Sequence, residues 1–184
     1  MPKLLDLFCG AGGAAMGYHR AGFEVVGIDR KNQKNYPFEF IKMDAFEALE
    51  KFGPSFDAIH ASPPCQAFSR SVSIENRKRR PNLIPATRDA LTELDVPYVI
   101  ENVADAASHM REPVTLCGSM FGLPIRRHRL FESNVWIWGM LCSHKEYPRK
   151  YPPAINRVNP LRVLSLSGGY TRKGNIPLED YLAA

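Results

Sequence analysis

Two residues stand where they can act as a nucleophile and an acid. Cys65 follows Pro63 and Pro64 in "ASPPCQ", and the two prolines lack amide donors and hold φ near a fixed value. A cysteine held still is suited to attack, because fixing the geometry of reacting groups removes a large part of a barrier. The thiolate is the reactive form and neighbouring positive charge favours it; Arg70 is close along the chain. A lone cysteine is more often a small buried hydrophobe, but a buried hydrophobe needs no such pinning. Glu101 closes the apolar run of "PYVIENV". It is either a capping or surface acid, or an acid held in a cleft with a raised pKa, able to donate a proton to a base edge. Arg127 and Arg129, two apart in "RRHRLF", face the same way if that segment is extended. A salt-bridged surface strand is their plainer reading.

A second group suits binding. "DLFCGAGGAAMG" sets Gly10, Gly12 and Gly13 between an apolar run and a helical segment, which permits a tight turn and close approach of a ligand to backbone amides. Asp29 ends the run "FEVVGID", 19 residues after Gly10, a spacing that suits acceptance of hydrogen bonds from ribose hydroxyls. Asp44, after "FEFIKMD", is placed to face an adenine amino group. No lysine follows the glycines in the Gly-Lys-Ser/Thr manner, which argues against a triphosphate loop. A dinucleotide and an adenosine ligand without phosphates both fit the glycines.

These residues need elements to hold them. "KLLDLF", "FEVVGID", "FEFIKMD", "DAIHAS" and "PYVIENV" are short apolar runs that read as strands. "GAAMGYHRAG" has helical spacing and stops at Gly22, while "NLIPATRDALTELD" is helical with its start near Pro85. Strands alternating with helices predict an α/β fold, a doubly wound and mostly parallel Rossmann-like sheet with ligands at the carboxyl ends of its strands. Asp6, Asp29, Asp44, the Pro-Pro-Cys turn and Glu101 all close such runs. Residues 1–133 are therefore expected to form the catalytic and cofactor-binding domain. Residues 134–184 form a short basic and aromatic region in which "NVWIWGMLCSH" is read as one strand and "IPLEDYLAA" as the start of a helix.

Composition narrows the class. Apolar residues make up 45% and charged residues 23%, ordinary for a globular domain. Four scattered cysteines and no charged-then-apolar leader argue against a secreted disulfide scaffold and for reduced thiols in a cytoplasm. No apolar stretch is long enough to span a bilayer. The net charge of +5 is concentrated in "RKRR" (77–80), "IRRHR" (125–129) and "YPRKY" (147–151), which together point towards a polyanionic partner. Cys117, Cys142 and His144 supply metal-type donors, but without a Cys-x-x-Cys pair no metal site is expected.

The order "DLFCGAGG", Asp29, Asp44, "PPCQ", "ENV", "RRHRLF" resembles the cytosine-C5 DNA methyltransferases over roughly residues 3–133. The resemblance implies that Cys65 attacks C6 of a cytosine flipped out of its helix, that Glu101 engages the ring at N3 and the amino group, and that Arg129 with Arg127 contacts the base and its backbone. It implies S-adenosylmethionine as cofactor, with Phe8, Gly10, Gly12, Asp29, Asp44 and Pro64 at the cofactor-binding positions. DNA is the expected partner, with transfer RNA as the alternative substrate, and a role in restriction-modification would follow from the first. Three departures stand out. Ile125 replaces the glutamine that usually opens the arginine motif, the family's asparagine-centred closing motif is not recognisable in "KGNIP", and only 51 residues follow Ser133. The chain is accordingly read as a compact or C-terminally truncated member. A non-catalytic binding module and a half-enzyme completed by another chain are the competing readings.

Overall fold

The computed structural model describes residues 1–69, 72–123, 125–142 and 144. Arg70, the run 147–151, "KGNIP" and "IPLEDYLAA" lie outside the described residues. Seven strands form one sheet: β1 (Lys3–Leu7), β2 (Glu24–Asp29), β3 (Glu39–Lys42), β4 (Ala58–Ala61), β5 (Tyr98–Val103), β6 (Val114–Cys117) and β7 (His128–Ser133). Their order is β3-β2-β1-β4-β5-β7-β6. The first five pair in parallel, and β7 runs antiparallel to both β5 and β6. The helices are α1 (Gly13–Arg20), α2 (Ala45–Phe52), α3 (Ile74–Lys78) and α4 (Ile84–Thr92).

Strand alternation divides the core between two faces. Leu5 and Leu7 of β1 pack with Val26, Ile28 and Ile59 against Leu49 of α2 and Ile84 and Leu91 of α4. Leu4 and Val25 point the other way, towards Ala15 of α1 and Tyr36. Helices on both faces of a mostly parallel sheet are the doubly wound arrangement expected from the sequence. Chain order reverses between β1 and β4, and the crevice at such a reversal is where ligands bind in this architecture. The glycine turn follows β1 and the Pro-Pro-Cys turn follows β4, so both flank that crevice.

Helices α2 and α3 and strand β6 were not anticipated. Helix α2 is amphipathic and begins at Asp44, whose carboxylate caps it by accepting from Phe46 N at 2.9 Å. Strand β6 is short and mostly half-exposed. The strand expected in "NVWIWGMLCSH" is absent from the described residues there. Asn134 explains this. Its amide accepts from Tyr98 N at 2.7 Å and donates to Val96 O at 3.0 Å, making with a side chain the bonds that a longer β7 would make with backbone.

Two buried ionisable groups stand out. Arg88 on α4 is 5% exposed and Glu132 on β7 is 3% exposed. They pair in a fork, with Arg88 Nη2 2.7 Å from Glu132 Oε2 and Nε on Oε1. Backbone groups support both partners, as Arg88 donates to His109 O at 2.7 Å and Glu132 accepts from Arg111 N at 2.8 Å.

Asp6, in the middle of the sheet, is less well served. It is 1% exposed, accepts from Tyr36 Oη at 3.3 Å, and its second oxygen has no partner. Burial pushes its pKa up to about 7, helped by Asp29 and opposed by the Tyr36 hydroxyl. An acid with a raised folded pKa favours folding at low pH. Its benefit is full below about 3.8 and is lost as pH rises to about 7. Between pH 5 and pH 8 the native chain should therefore lose stability on the order of 2–3 kcal/mol at this group. Asp6→Asn should remove that part of the pH dependence. Urea denaturation of both proteins at the two pH values checks it, and parallel slopes against pH would refute it.

Candidate active site

The glycine turn is shaped by its backbone. Phe8, Gly10 and Gly12 have φ of 57, 52 and 85°, a left-handed region that costs a residue with a Cβ. At Gly12 space is also decisive, because a Cβ would come within 2.7 Å of Pro37 Cδ. Asp29, ending β2, holds the turn from below. Its carboxylate accepts from Gly10 N at 3.3 Å and from Lys31 N at 2.8 Å, leaving lone pairs for further donors. Asp44 lies beyond β3, whose Lys42 pairs with Asp29. Phe8 meets Phe46 of α2 edge-on, with ring centroids 6.4 Å apart. The turn and the two carboxylates thus gather at the ends of three adjacent strands. They form a wall rich in acceptors, with no basic residue between Asp6 and Gly17, which suits an uncharged sugar and cationic groups better than phosphates. An S-adenosyl cofactor fits that donor set.

The second wall carries the reactive groups. Pro63 is buried, and its carbonyl accepts from Asn102 Nδ2 at 3.0 Å. Asn102 is 1% exposed, so it ties the Pro-Pro-Cys turn to β5. Sequence reasoning quoted Asn102 without giving it a role; its place in the strict in-out alternation of β5 was the available signal. Cys65 starts a 3-10 turn, Cys65–Ala67, and is partly exposed. Glu101, one residue before Asn102, points to the opposite face and pairs with Arg129, Nε to Oε1 at 2.8 Å. The register explains the pairing, since Val103 sits opposite Arg129 and Glu101 opposite Phe131. Arg129, Glu101 and Arg127 all act electrostatically on Cys65. Those four residues are therefore brought together. An open cleft of about 600 Å³ lies beside them, lined in part by Ser69, Asp105, Arg126, Arg127 and Arg129.

One expectation is corrected here. Positive charge was expected to hold the Cys65 thiol low, but burial outweighs Arg129 and pushes it up, with Glu101 adding to the rise. Burial likewise raises Glu101, against the pull of Arg129, the Ser62 hydroxyl and Arg127. Arg127 is itself lowered by burial and by its neighbour Arg129. Behind Glu101 runs a chain of hydrogen bonds the sequence did not disclose. Tyr18 Oη is 3.1 Å from His60 Nδ1, and His60 Nε2 is 2.7 Å from Ser62 Oγ. Burial lowers His60 to about 4, so the ring is neutral and donates from one nitrogen only. With Ser62 bonded to the Glu101 side chain, donation running from Tyr18 through His60 and Ser62 to Glu101 satisfies every member.

The remaining candidates divide. Lys78, Arg79 and Arg80 are exposed, and Arg79 is engaged by Glu75 at 2.7 Å. Trp136 and Trp138 do not cover the sheet; they are exposed and meet edge-on at 5.0 Å. The three metal-type donors for which no metal site was expected lie close together. Cys117, Cys142 and His144 are joined by His128, which was not considered for this role, with all four donor atoms within 4.8 Å of one another. No described helix is long and apolar enough to cross a membrane.

Comparison with known proteins bears on the fold and the family. The fold is shared with Entamoeba histolytica methyltransferase EhMeth, at TM-score 0.52 and 16% identity over 78% of this chain and 58% of that one. Type II methyltransferase M.FnuDI of Fusobacterium nucleatum is 39% identical over 39% of this chain and 23% of its own. Type II methyltransferase M.AgeI of Thalassovita gelatinovora is 27% identical over 70% of this chain and 38% of its own. The chain thus spans well under half the length of these two relatives. The family model for C-5 cytosine-specific DNA methylases matches residues 2–118, which include the glycine turn, Asp29, Asp44, Cys65 and Glu101 but stop short of Arg127 and Arg129. The chain belongs to the C-5 cytosine-specific DNA methylases.

Proposed function

We propose that the chain carries out methyl transfer from S-adenosylmethionine to C5 of cytosine in DNA. The observation that carries the reading is the grouping of Cys65, Glu101 and Arg129 at the carboxyl ends of β4, β5 and the start of β7, one strand from the glycine turn. C5 of cytosine is a weak nucleophile. Addition of the Cys65 thiolate to C6 forms an S–C6 bond and moves the ring's electrons towards C5. Glu101, holding its proton at N3 and accepting from the exocyclic amine, stabilises the electron-rich ring. Arg129 orients Glu101 through its ion pair, and Arg127 faces the adjoining cleft. The bound cofactor supplies an electrophilic methyl group, for which Phe8, Gly10, Gly12, Asp29, Asp44 and Pro64 form the binding wall. Loss of the C5 proton then lets the S–C6 bond break and returns Cys65. A base must leave its duplex to reach Cys65, and base flipping follows.

Residues 1–133 are the catalytic unit in this reading, and 134–184 contribute nucleic-acid contacts through their basic and aromatic residues. DNA is favoured over RNA because the family whose model matches residues 2–118 is that of C-5 cytosine-specific DNA methylases. Radiolabelled methyl from S-adenosylmethionine should appear on unmethylated DNA and not on transfer RNA. DNA carrying 5-fluorocytosine at the target should trap the protein covalently, because fluorine cannot leave C5 as the proton does. Label on transfer RNA alone moves the substrate to RNA. Binding of cofactor with no label on either nucleic acid identifies a non-catalytic module or a half-enzyme.

A further inference from the structure

We infer that Cys117, His128, Cys142 and His144 form a structural zinc site that fastens the segment after β7 to the β6–β7 hairpin. The four donor atoms lie within 4.8 Å of one another. Two thiols and two imidazoles are a complete donor set for tetrahedral zinc, whereas calcium and magnesium take oxygen ligands. The spacing is also right. Zinc bonds of about 2.3 Å to sulfur and about 2.0 Å to nitrogen, at tetrahedral angles, separate S from N by about 3.5 Å. Cys117 Sγ is 3.5 Å from His144 Nε2, and Cys142 Sγ is 3.5 Å from His128 Nε2. A thiol and an imidazole can pair by hydrogen bonding, but convergence of all four donor atoms on one point is the arrangement that a tetrahedral cation organises.

The fold supplies the donors in two pairs. Cys117 ends β6 and His128 begins β7, and the antiparallel register sets them directly opposite each other. Cys142 and His144 come from the segment beyond β7, one residue apart. The Cys117 sulfur is also braced, since it accepts from Ser119 Oγ at 3.3 Å and from the backbone N–H of Met120. Bonds donated to a ligating sulfur spread its charge and fix its direction, as supporting contacts of metal sites do. Cys117 is buried and the other three are partly buried, so an ion here would be held largely out of water. His128 lies between Arg127 and Arg129, so the same ion would steady the start of β7, which carries Arg129 and directly follows Arg127.

The inference is independent of methyl transfer, and zinc content can be read on a chain that transfers nothing. The 184-residue chain, purified without chelators or metal resin, should carry about one zinc by plasma mass spectrometry. Cys65→Ala should carry as much. The double variant Cys142→Ser/His144→Ala should carry less than a tenth as much. Cobalt exchanged into the native chain should show the intense visible bands of a tetrahedral ion and a thiolate-to-cobalt charge-transfer band. X-ray absorption at the zinc edge gives a second reading on native protein, should the variant fail to fold, and two sulfur and two nitrogen neighbours are expected. A native chain without zinc, zinc with only nitrogen and oxygen neighbours, or a Cys117–Cys142 disulfide in the peptide map would each overturn the inference.

Discussion

Cys65→Ala should lower methyl transfer by about 10⁴-fold or more, as removal of a covalent nucleophile does, while leaving cofactor binding and thermal stability close to native. The 3-10 turn that holds the residue is closed by backbone, with Phe68 N and Ser69 N donating to Cys65 O at 3.0 and 2.9 Å. The thiol is not needed for it. The pH profile carries the finer test. Burial raises both Cys65 and Glu101, so each group is pushed towards its neutral, proton-bearing form. The reactive arrangement is the thiolate beside protonated Glu101; it and the thiol beside ionised Glu101 differ only in where one proton sits. Their ratio is independent of pH between the two pKa values, so kcat/KM should be level there and fall on either side. Glu101→Gln removes the proton partner. Its residual activity should be low and should climb about tenfold per pH unit up to the thiol pKa. An unchanged profile in that variant would show that Glu101 does not exchange a proton with Cys65.

Glu132→Ala should be the most damaging single change to stability, costing about 3–5 kcal/mol. It leaves the buried Arg88 guanidinium without its carboxylate and the Arg111 N–H without an acceptor. A domain of this size has only about 5–15 kcal/mol in total, so the variant should unfold at a markedly lower urea concentration. Replacing both partners with apolar residues, as in Arg88→Met/Glu132→Leu, should recover part of the loss, because a matched apolar pair carries no desolvation cost. Recovery should be incomplete, since Arg111 N lacks its acceptor in both variants and His109 O also loses its donor in the double one. A double variant no more stable than Glu132→Ala would place the cost in packing and not in the orphaned charge.

The strands that carry function were legible because each is a short apolar run ended by a polar residue. Leu4 to Leu7 and Val25 to Ile28 are buried almost throughout, and a doubly wound sheet puts their ends on one edge. Helix α2 was within reach as well, since Asp44 and Glu47 are the usual opening of a helix; attention to Asp44 as a ligand hid its capping role. Strand β6 offered too little, being four residues of mixed exposure. The direction of the Cys65 shift was misjudged for a different reason. Charge can be counted along a chain, but the degree of burial that opposes it depends on β5 and β7 closing over the turn. The Cys117–His128 pair was invisible to spacing rules, since only the register of β6 against β7 brings the two together. Asn134 shows the same limit, an exposed residue whose side chain ends a strand.

The chain has two tryptophans, and Trp136 and Trp138 are neighbours, 78% and 70% exposed, in the segment between β7 and Cys142. Tryptophan emission from this protein is thus a local probe. Loss of the sheet will register weakly in it, because both indoles already face solvent in the native state. Anything that settles on or releases that one segment will register strongly. Intrinsic fluorescence and far-ultraviolet circular dichroism will therefore report different events in one titration, the first the behaviour of the strap, the second that of the sheet.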